Sequence, residues 1–124
     1  MREIKFRVYN SAENEIGKVL SIDNTYIHYI SKYPEPETMC RVSRCELILM
    51  QYTGLLDNKG VEIYEGDVVV TYFGNKKVNF QDGCYYAGDS SLLDCLQIGG
   101  EEFKVIGNIY ENKELLDNNK WAIN

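Results

Sequence analysis

The stretch QYTGLLDNKGVEIYEGDVVV (Gln51–Val70) holds the densest set of turn and strand signals in the chain. Asp57–Gly60 has the residue types of a type I turn followed by a left-handed glycine, which joins two strands through a bulge. The next run, Val61–Tyr64, is predicted to be a strand with Val61 pointing inward. Glu65–Asp67 then turns the chain into another β-branched run. The glycines of this stretch therefore have backbone reasons to be there, and none of them requires a ligand.

Short runs of this kind recur along the chain, separated by turn residues about every eight to twelve positions. Asp82-Gly83 is the strongest hairpin signal, because a type I′ turn needs positive φ at both central residues. Asp23-Asn24 suggests a second hairpin, and the segment with Pro34 and Pro36 is predicted to be a loop. The predicted strands cover residues 4–9, 18–22, 25–30, 45–52, 61–64, 68–73, 78–80, 84–86 and 103–110. Periodicity does not separate helix from strand in the nearly continuous apolar run at 45–52, but its length and its ending in Tyr52-Thr53-Gly54 favour a buried strand.

The whole chain of 124 residues has the length of one domain. Asn112 is expected to cap a short C-terminal helix with Glu114 in its first turn. Many short strands and one short helix indicate a mainly β protein, built as a small barrel or sandwich.

The formal charge of −6 argues against a nucleic-acid groove, because phosphates are bound mostly by clustered Lys and Arg. Lys5 and Arg7 share one face of the first predicted strand and are expected to be solvated. Lys76 and Lys77 lie among aromatic residues, which leaves single-stranded nucleic acid as an alternative partner. An acidic surface also suits a basic protein or imitates DNA.

The N-terminal residues lack the apolar core of a secretory signal, and the longest apolar run is too short to span a bilayer. These patterns predict a cytoplasmic protein that makes no membrane contact. Its cysteines are then expected to be thiols. Cys40 and Cys45 are separated by four residues but Cys84 and Cys95 by ten, so only the first pair approaches the spacing of structural zinc.

Glu62, Glu65 and Asp67 are the candidates for acid/base chemistry or for a divalent cation. A calcium loop needs oxygen ligands at alternating positions, and Lys59 and Val61 fall where carboxylates would be required. A small hydrolase that uses the carboxylates near Glu62 and Asp67 remains an alternative. We interpret the three acids mainly as solvated turn residues.

The remaining reactive side chains lack partners in the sequence. His28 is the single histidine, and alternation places it with Tyr26 on the face opposite Ile27. No nucleophile motif accompanies the hydroxyl residues Thr53, Ser90 and Ser91. We therefore expect no catalytic, cofactor-binding or metal-binding residues and no enzymatic activity.

Three blocks of sequence together resemble a known family. MREIKFRVYN at the start, LMQYTGLLDNKGVEIYEGDVV in the middle and VIGNIYENKELL near the end are similar, in this order and spacing, to the YopX family of small proteins from bacterial phages and prophages. The resemblance covers nearly the whole chain. Tyr9-Asn10 stands where the family usually has Trp-Asp, and Lys113 where it commonly has proline.

The resemblance implies a single YopX-like domain over residues 1–124. An SH3-like barrel at approximately 46–112 would form its core, with an N-terminal β extension and a short C-terminal helix. It also implies a phage-encoded or prophage-encoded protein of uncharacterised function that acts in the bacterial cytoplasm, and it supplies no catalytic residues. We expect an accessory module that binds a host or phage protein, and self-association through an edge strand.

Overall fold

The computed structural model describes residues 3–31 and 38–117. The prediction of a mainly β protein with a short helix near its C-terminus is confirmed. The strands are β1 (Phe6–Asn10), β2 (Glu15–Ile22), β3 (Tyr26–Ser31), β4 (Thr38–Ser43), β5 (Leu47–Leu56), β6 (Glu62–Tyr64), β7 (Asp67–Thr71), β8 (Gly74–Gln81), β9 (Cys84–Ala87), β10 (Ser90–Ser91) and β11 (Lys104–Asn108). The α-helices are α1 (Leu92–Gly99) and α2 (Glu114–Asp117), and single 3₁₀ turns lie at Arg44–Glu46 and Gly100–Glu102.

The chain divides into two compact units, residues 1–52 and 53–124. In the first unit the strands are antiparallel, in the order β4-β3-β2-β1-β5. Ser43 ends one edge strand and Leu47 begins the other, so the linking backbone spans at most about 14 Å. The edges of a flat sheet of five strands would lie about 19 Å apart. The sheet must therefore curl.

One face of this sheet contains the first core, formed by Val8, Ile27 and Tyr29. Gly17 lies beneath the Tyr29 ring, where a Cβ atom would overlap the ring carbons. The phenol of Tyr29 accepts a hydrogen bond from Asn10 at 2.9 Å and donates one to Glu15 at 3.2 Å. Burial raises the pKa of Tyr29. These contacts fix the large ring in one position and explain why a residue without a side chain faces it.

In the second unit, β10-β9-β8-β7-β11 form an antiparallel sheet, and β6 neighbours β5. The hairpin predicted at Asp82-Gly83 is confirmed, with φ of 53° and 83° at its two central residues. The second core consists of Ile63, Val69, Val78, Ala87, Leu92, Cys95 and Phe103. Two of these residues, Leu92 and Cys95, come from α1, so one face of that helix is part of the core.

The opening motif folds largely as predicted. Gly60 follows the turn with φ of 82° and Gly66 follows β6 with φ of 85°, both in the left-handed region that favours glycine. Val61 is an exception, because it is 47% exposed rather than directed inward. It precedes β6, and its N–H donates to the Asp57 carboxylate instead of entering a strand ladder.

Other predictions require correction. Helix α1 was not predicted at all. Asn112 does not cap α2, because its side-chain oxygen accepts the N–H of Asn108 at 3.2 Å. Lys5 and Arg7 are half-buried rather than solvated: Lys5 lies 5.0 Å from the centre of the Tyr52 ring, and Arg7 donates to the sulfur of Met50.

Neither sheet closes into a barrel within residues 3–31 and 38–117, so the SH3-like core is not confirmed. The division into two compact units does not test the predicted single domain over residues 1–124, which therefore stays a prediction. The predicted loop around Pro34 and Pro36 lies outside the described residues.

Candidate functional site

A groove in the second unit lies between the turn that joins β7 to β8 and the helix α1. We call it the Tyr72 groove, and its volume is about 410 Å³. It is lined by Tyr72, Phe73, Asp89, Ser90, Ser91, Asp94, Cys95 and Ile98. A volume of this size is within the range of small-molecule pockets.

The two aromatic rings of the groove lie in the tight turn between β7 and β8, which exposes them. The hydroxyl of Thr71 donates to the Gly74 carbonyl at 2.8 Å and accepts the N–H of Phe73 at 3.0 Å. These bonds leave Tyr72 and Phe73 as the two residues of the loop, with ring centres 5.3 Å apart in an edge-to-face pair. Tyr72 is 71% exposed, although such rings are ordinarily packed.

Helix α1 forms the opposite wall. Its N-terminus is capped by Ser91, whose hydroxyl accepts the N–H of Asp94. Leu92 and Cys95 are buried in the second core, whereas Ile98, at the C-terminal end of the helix, is 61% exposed and lines the groove. Burial, together with the nearby Asp94 carboxylate, raises the pKa of the Cys95 thiol.

A second groove of about 650 Å³ adjoins the first. It shares Tyr72 and Ile98 with the Tyr72 groove and extends past Gly74 to Glu102. The two exposed apolar side chains therefore form a ridge with a depression on each side. Sequence reasoning missed this surface, although Ser91-Leu92-Leu93-Asp94 has the spacing of a helix-capping signature and would have located α1.

The charge of the chain is unevenly distributed between the units. Residues 1–52 contain seven Lys or Arg and seven Asp or Glu, whereas residues 53–124 contain six and twelve. The second unit thus carries the whole formal charge of −6. Asp89 and Asp94 contribute to it at the Tyr72 groove, where neither makes an ion pair with any described residue.

The interpretation of Glu62, Glu65 and Asp67 as solvated turn residues is wrong, because Asp67 is buried and Glu62 and Glu65 are half-buried. Asp67 is 1% exposed, and its Oδ2 accepts the N–H of Tyr64 at 2.8 Å. Glu62 is half-buried and accepts the Tyr64 hydroxyl at 3.2 Å. The structure therefore brings Glu62 and Tyr64 together, and neither Glu62 nor Asp67 lines the grooves beside Tyr72.

The other sequence-based candidates are dispersed. His28 shares a 3.2 Å hydrogen bond with Ser21, on the face opposite Ile27 as predicted. All four cysteines are free: Cys45 and Cys84 are exposed, Cys40 is half-buried and Cys95 is buried. Across the described part of the chain, no group of three His, Cys, Asp or Glu side chains could hold a metal ion.

The hydroxyl residues, which were not predicted to be nucleophiles, and the basic pair have local roles in the fold. Thr53 donates to the Ile63 carbonyl at 2.7 Å, and Ser91 caps α1. Lys76 and Lys77 are consecutive in β8, so their side chains leave opposite faces of the strand. They do not form the joint platform that a single-stranded nucleic acid would need.

No helix among the described residues is long and apolar enough to cross a membrane.

Comparison with known proteins gives a family for the chain. No curated protein matches the sequence. A crystal structure of protein EF1440 from Enterococcus faecalis is similar, with a TM-score of 0.68 and 26% identity over 94% of this chain and 99% of that one. The model of the YopX protein family matches residues 5–117. The chain therefore belongs to the YopX family.

Proposed function

We propose that the protein is a non-enzymatic interaction module that binds a basic segment of another protein in the Tyr72 groove. The observation that carries the proposal is the exposed Tyr72–Ile98 ridge beside two carboxylates without ion pairs among the described residues. Exposed aromatic rings at a concave surface favour protein contacts, because they bury much area with few rotatable bonds.

The charge of the second unit selects the chemistry of the partner. An Arg side chain can stack on the Tyr72 ring while its guanidinium donates to Asp89 or Asp94. An aliphatic neighbour of that Arg would cover Ile98. A segment that combines Arg with Leu or Ile therefore fits this groove better than an acidic or purely polar one.

The test uses fluorescence anisotropy to measure the affinity of the protein for a dodecapeptide of alternating Arg and Leu. A second peptide, in which Gln replaces each Arg, is measured for comparison. We expect the Arg peptide to bind more tightly. Tyr72→Ser should weaken its binding about tenfold, as expected for an aromatic anchor. Asp89→Asn should weaken it about threefold, because an exposed charge pair contributes less.

Two matched variants separate groove binding from general attraction. Phe80→Ser removes another exposed ring from the same unit, and Asp82→Asn removes the same charge at a turn whose backbone Asn tolerates. Phe80→Ser should leave the affinity for the Arg peptide unchanged. Asp82→Asn should lower it only by the small, salt-screened effect of removing one surface charge. If Asp82→Asn weakened binding as much as Asp89→Asn, or if Tyr72→Ser had no effect, the groove would not be the binding site.

The biological setting is part of the same proposal. Family membership supports a phage-encoded or prophage-encoded accessory protein that works in the bacterial cytoplasm and binds a host or phage protein.

The β4 edge, with Met39 65% exposed, supports self-association as an additional property. An SH3-like arrangement of the core also remains a proposal.

A further inference from the structure

A separate cavity of the second unit lies between β8 and the segment that follows β11. Its volume is about 500 Å³, and it is lined by Lys77, Ile109, Tyr110, Lys113 and Leu116. None of these residues lines the Tyr72 groove or its neighbour. The cavity is therefore independent of the proposed protein-binding site.

Lys77 and Lys113 are the charged residues of this cavity, and both are exposed. Neither ammonium group makes an ion pair or hydrogen bond with any residue that the structure describes. The acids flanking Lys113 in sequence are Glu111, which accepts the Asn108 side-chain amide at 2.9 Å, and Glu114, which is adjacent to Lys113 but forms no ion pair with it. Two lysines without ion-pair partners among the described residues therefore line one cavity, in a unit that has twice as many acidic as basic residues.

The walls are fixed by hydrogen bonds from the fold. Asn75 in β8 donates to the Leu115 carbonyl at 3.0 Å, which ties the C-terminal segment to the strand of Lys77. The N–H of Ile109 donates to the Gly66 carbonyl at 2.8 Å. A Cβ at Gly107 would overlap Asn112 and Leu115, so the segment packs closely on β11. The backbone segments that carry the two lysine side chains are therefore fixed by hydrogen bonds and close packing.

From this arrangement we propose that the cavity binds a nucleoside phosphate. Two ammonium groups suit the double negative charge of a phosphate monoester better than a single carboxylate. The half-buried Tyr110 ring, with Ile109 and Leu116, provides an aromatic and aliphatic wall against which a base can pack. The volume lies within the range of small-molecule sites. The ligand is a free nucleotide or the 5′-phosphorylated end of a nucleic-acid strand, because both present this chemistry.

The test is calorimetric titration of the full chain with adenosine 5′-monophosphate, adenosine and inorganic phosphate. The nucleotide should bind at least tenfold more tightly than either fragment. Lys77→Gln and Lys113→Gln should each weaken its binding about tenfold, which corresponds to one charge-assisted contact. Amide NMR signals of Ile109, Tyr110 and Lys113 should shift on titration, and those of Tyr72 and Ile98 should not.

The control is Lys104→Gln, which removes an exposed lysine of β11 that lies outside the cavity and should leave the affinity unchanged. Thermal melts establish that each variant is folded. Equal binding of inorganic phosphate or adenosine, no nucleotide binding at millimolar concentration, or a Lys104→Gln effect as large as that of Lys77→Gln would overturn the proposal.

Octathymidylates with and without a 5′-phosphate distinguish the two sources of the ligand. Tighter binding of the phosphorylated strand than of the mononucleotide assigns the cavity to strand ends, and the reverse order assigns it to free nucleotides. Binding that does not depend on the terminal phosphate contradicts both. Because the Tyr72 groove shares no residue with the cavity, failure of one proposal leaves the other intact.

Discussion

At the scale of single residues, Asp57 has the most consequential contacts of the opening motif. Its Oδ1 accepts the N–H groups of Lys59 at 2.7 Å and Val61 at 2.9 Å, and its Oδ2 accepts that of Val105 at 2.9 Å. One carboxylate thus closes the turn before β6 and attaches β11 to it. The sequence indicates the turn, but the contact with Val105 joins residues 48 positions apart and no local pattern reveals it.

Asp57→Asn should destabilise the protein by about 2 kcal/mol at pH 7, because the amide presents an N–H₂ donor to at least one backbone N–H. Burial opposes ionisation of Asp57, but the three backbone N–H groups outweigh it and hold the pKa of the carboxyl below its usual value. Its stabilising contribution is therefore complete above the unfolded pKa of about 3.9 and disappears as the pH falls through the folded pKa. Urea unfolding from pH 3 to pH 7 measures this difference in stability.

The expected pH profile distinguishes ionisation from packing. The stability difference between the wild type and Asp57→Asn should shrink below about pH 4, as the wild-type carboxyl gains its proton. Asp82→Asn, which alters an exposed turn, is the matched control and should show little difference at any pH. A difference for Asp57→Asn that stayed constant across this range would contradict a role for the ionised carboxylate.

At the scale of elements, local chemistry determined which predictions succeeded. The Asp82-Gly83 hairpin was predictable, because few residue pairs accept two positive φ angles. At β5 the apolar run did not by itself distinguish helix from strand, but its length and its ending in Tyr52-Thr53-Gly54 favoured the strand that the structure contains. Helix α1 was missed because it is short and follows a two-residue strand, so its apolar positions do not repeat often enough to show a helical period. The order of strands in the sheets follows from contacts between distant segments, which is why the predicted barrel could not be derived from local patterns.

Helix α1 should depend on its cap. Ser91→Ala removes the acceptor for the Asp94 N–H and should cost about 1 kcal/mol, or about 4 °C in Tm, in a thermal melt followed by circular dichroism. Ser91→Asp should restore most of the loss, because Asp is an equally good capping residue. Ser90→Ala, one position earlier, is the control. If Ser90→Ala and Ser91→Ala cost the same, the cap would not be what holds the start of α1.

At the scale of the whole molecule, the two units differ in charge and have separate cores. The first core lies on one face of a curled sheet, whereas the second combines strands with α1. Strand β5 nevertheless contributes to both: Leu47 and Leu49 pack against the first core and Leu55 against the second. Gly54, with φ of 88°, separates these two parts of the strand. The division into units therefore does not by itself imply independent folding.

We expect the chain to unfold in one cooperative transition, because loss of either core would fray the strand that the other core requires. Differential scanning calorimetry should give an unfolding enthalpy of about 85 kcal/mol near 60 °C for 124 residues, equal to the van't Hoff enthalpy. Ile27→Ala in the first core and Ile63→Ala in the second should each remove about 2 to 5 kcal/mol and lower the same single Tm. Independent units would instead give a van't Hoff enthalpy of about half the calorimetric value, and each substitution would then move only one of two transitions.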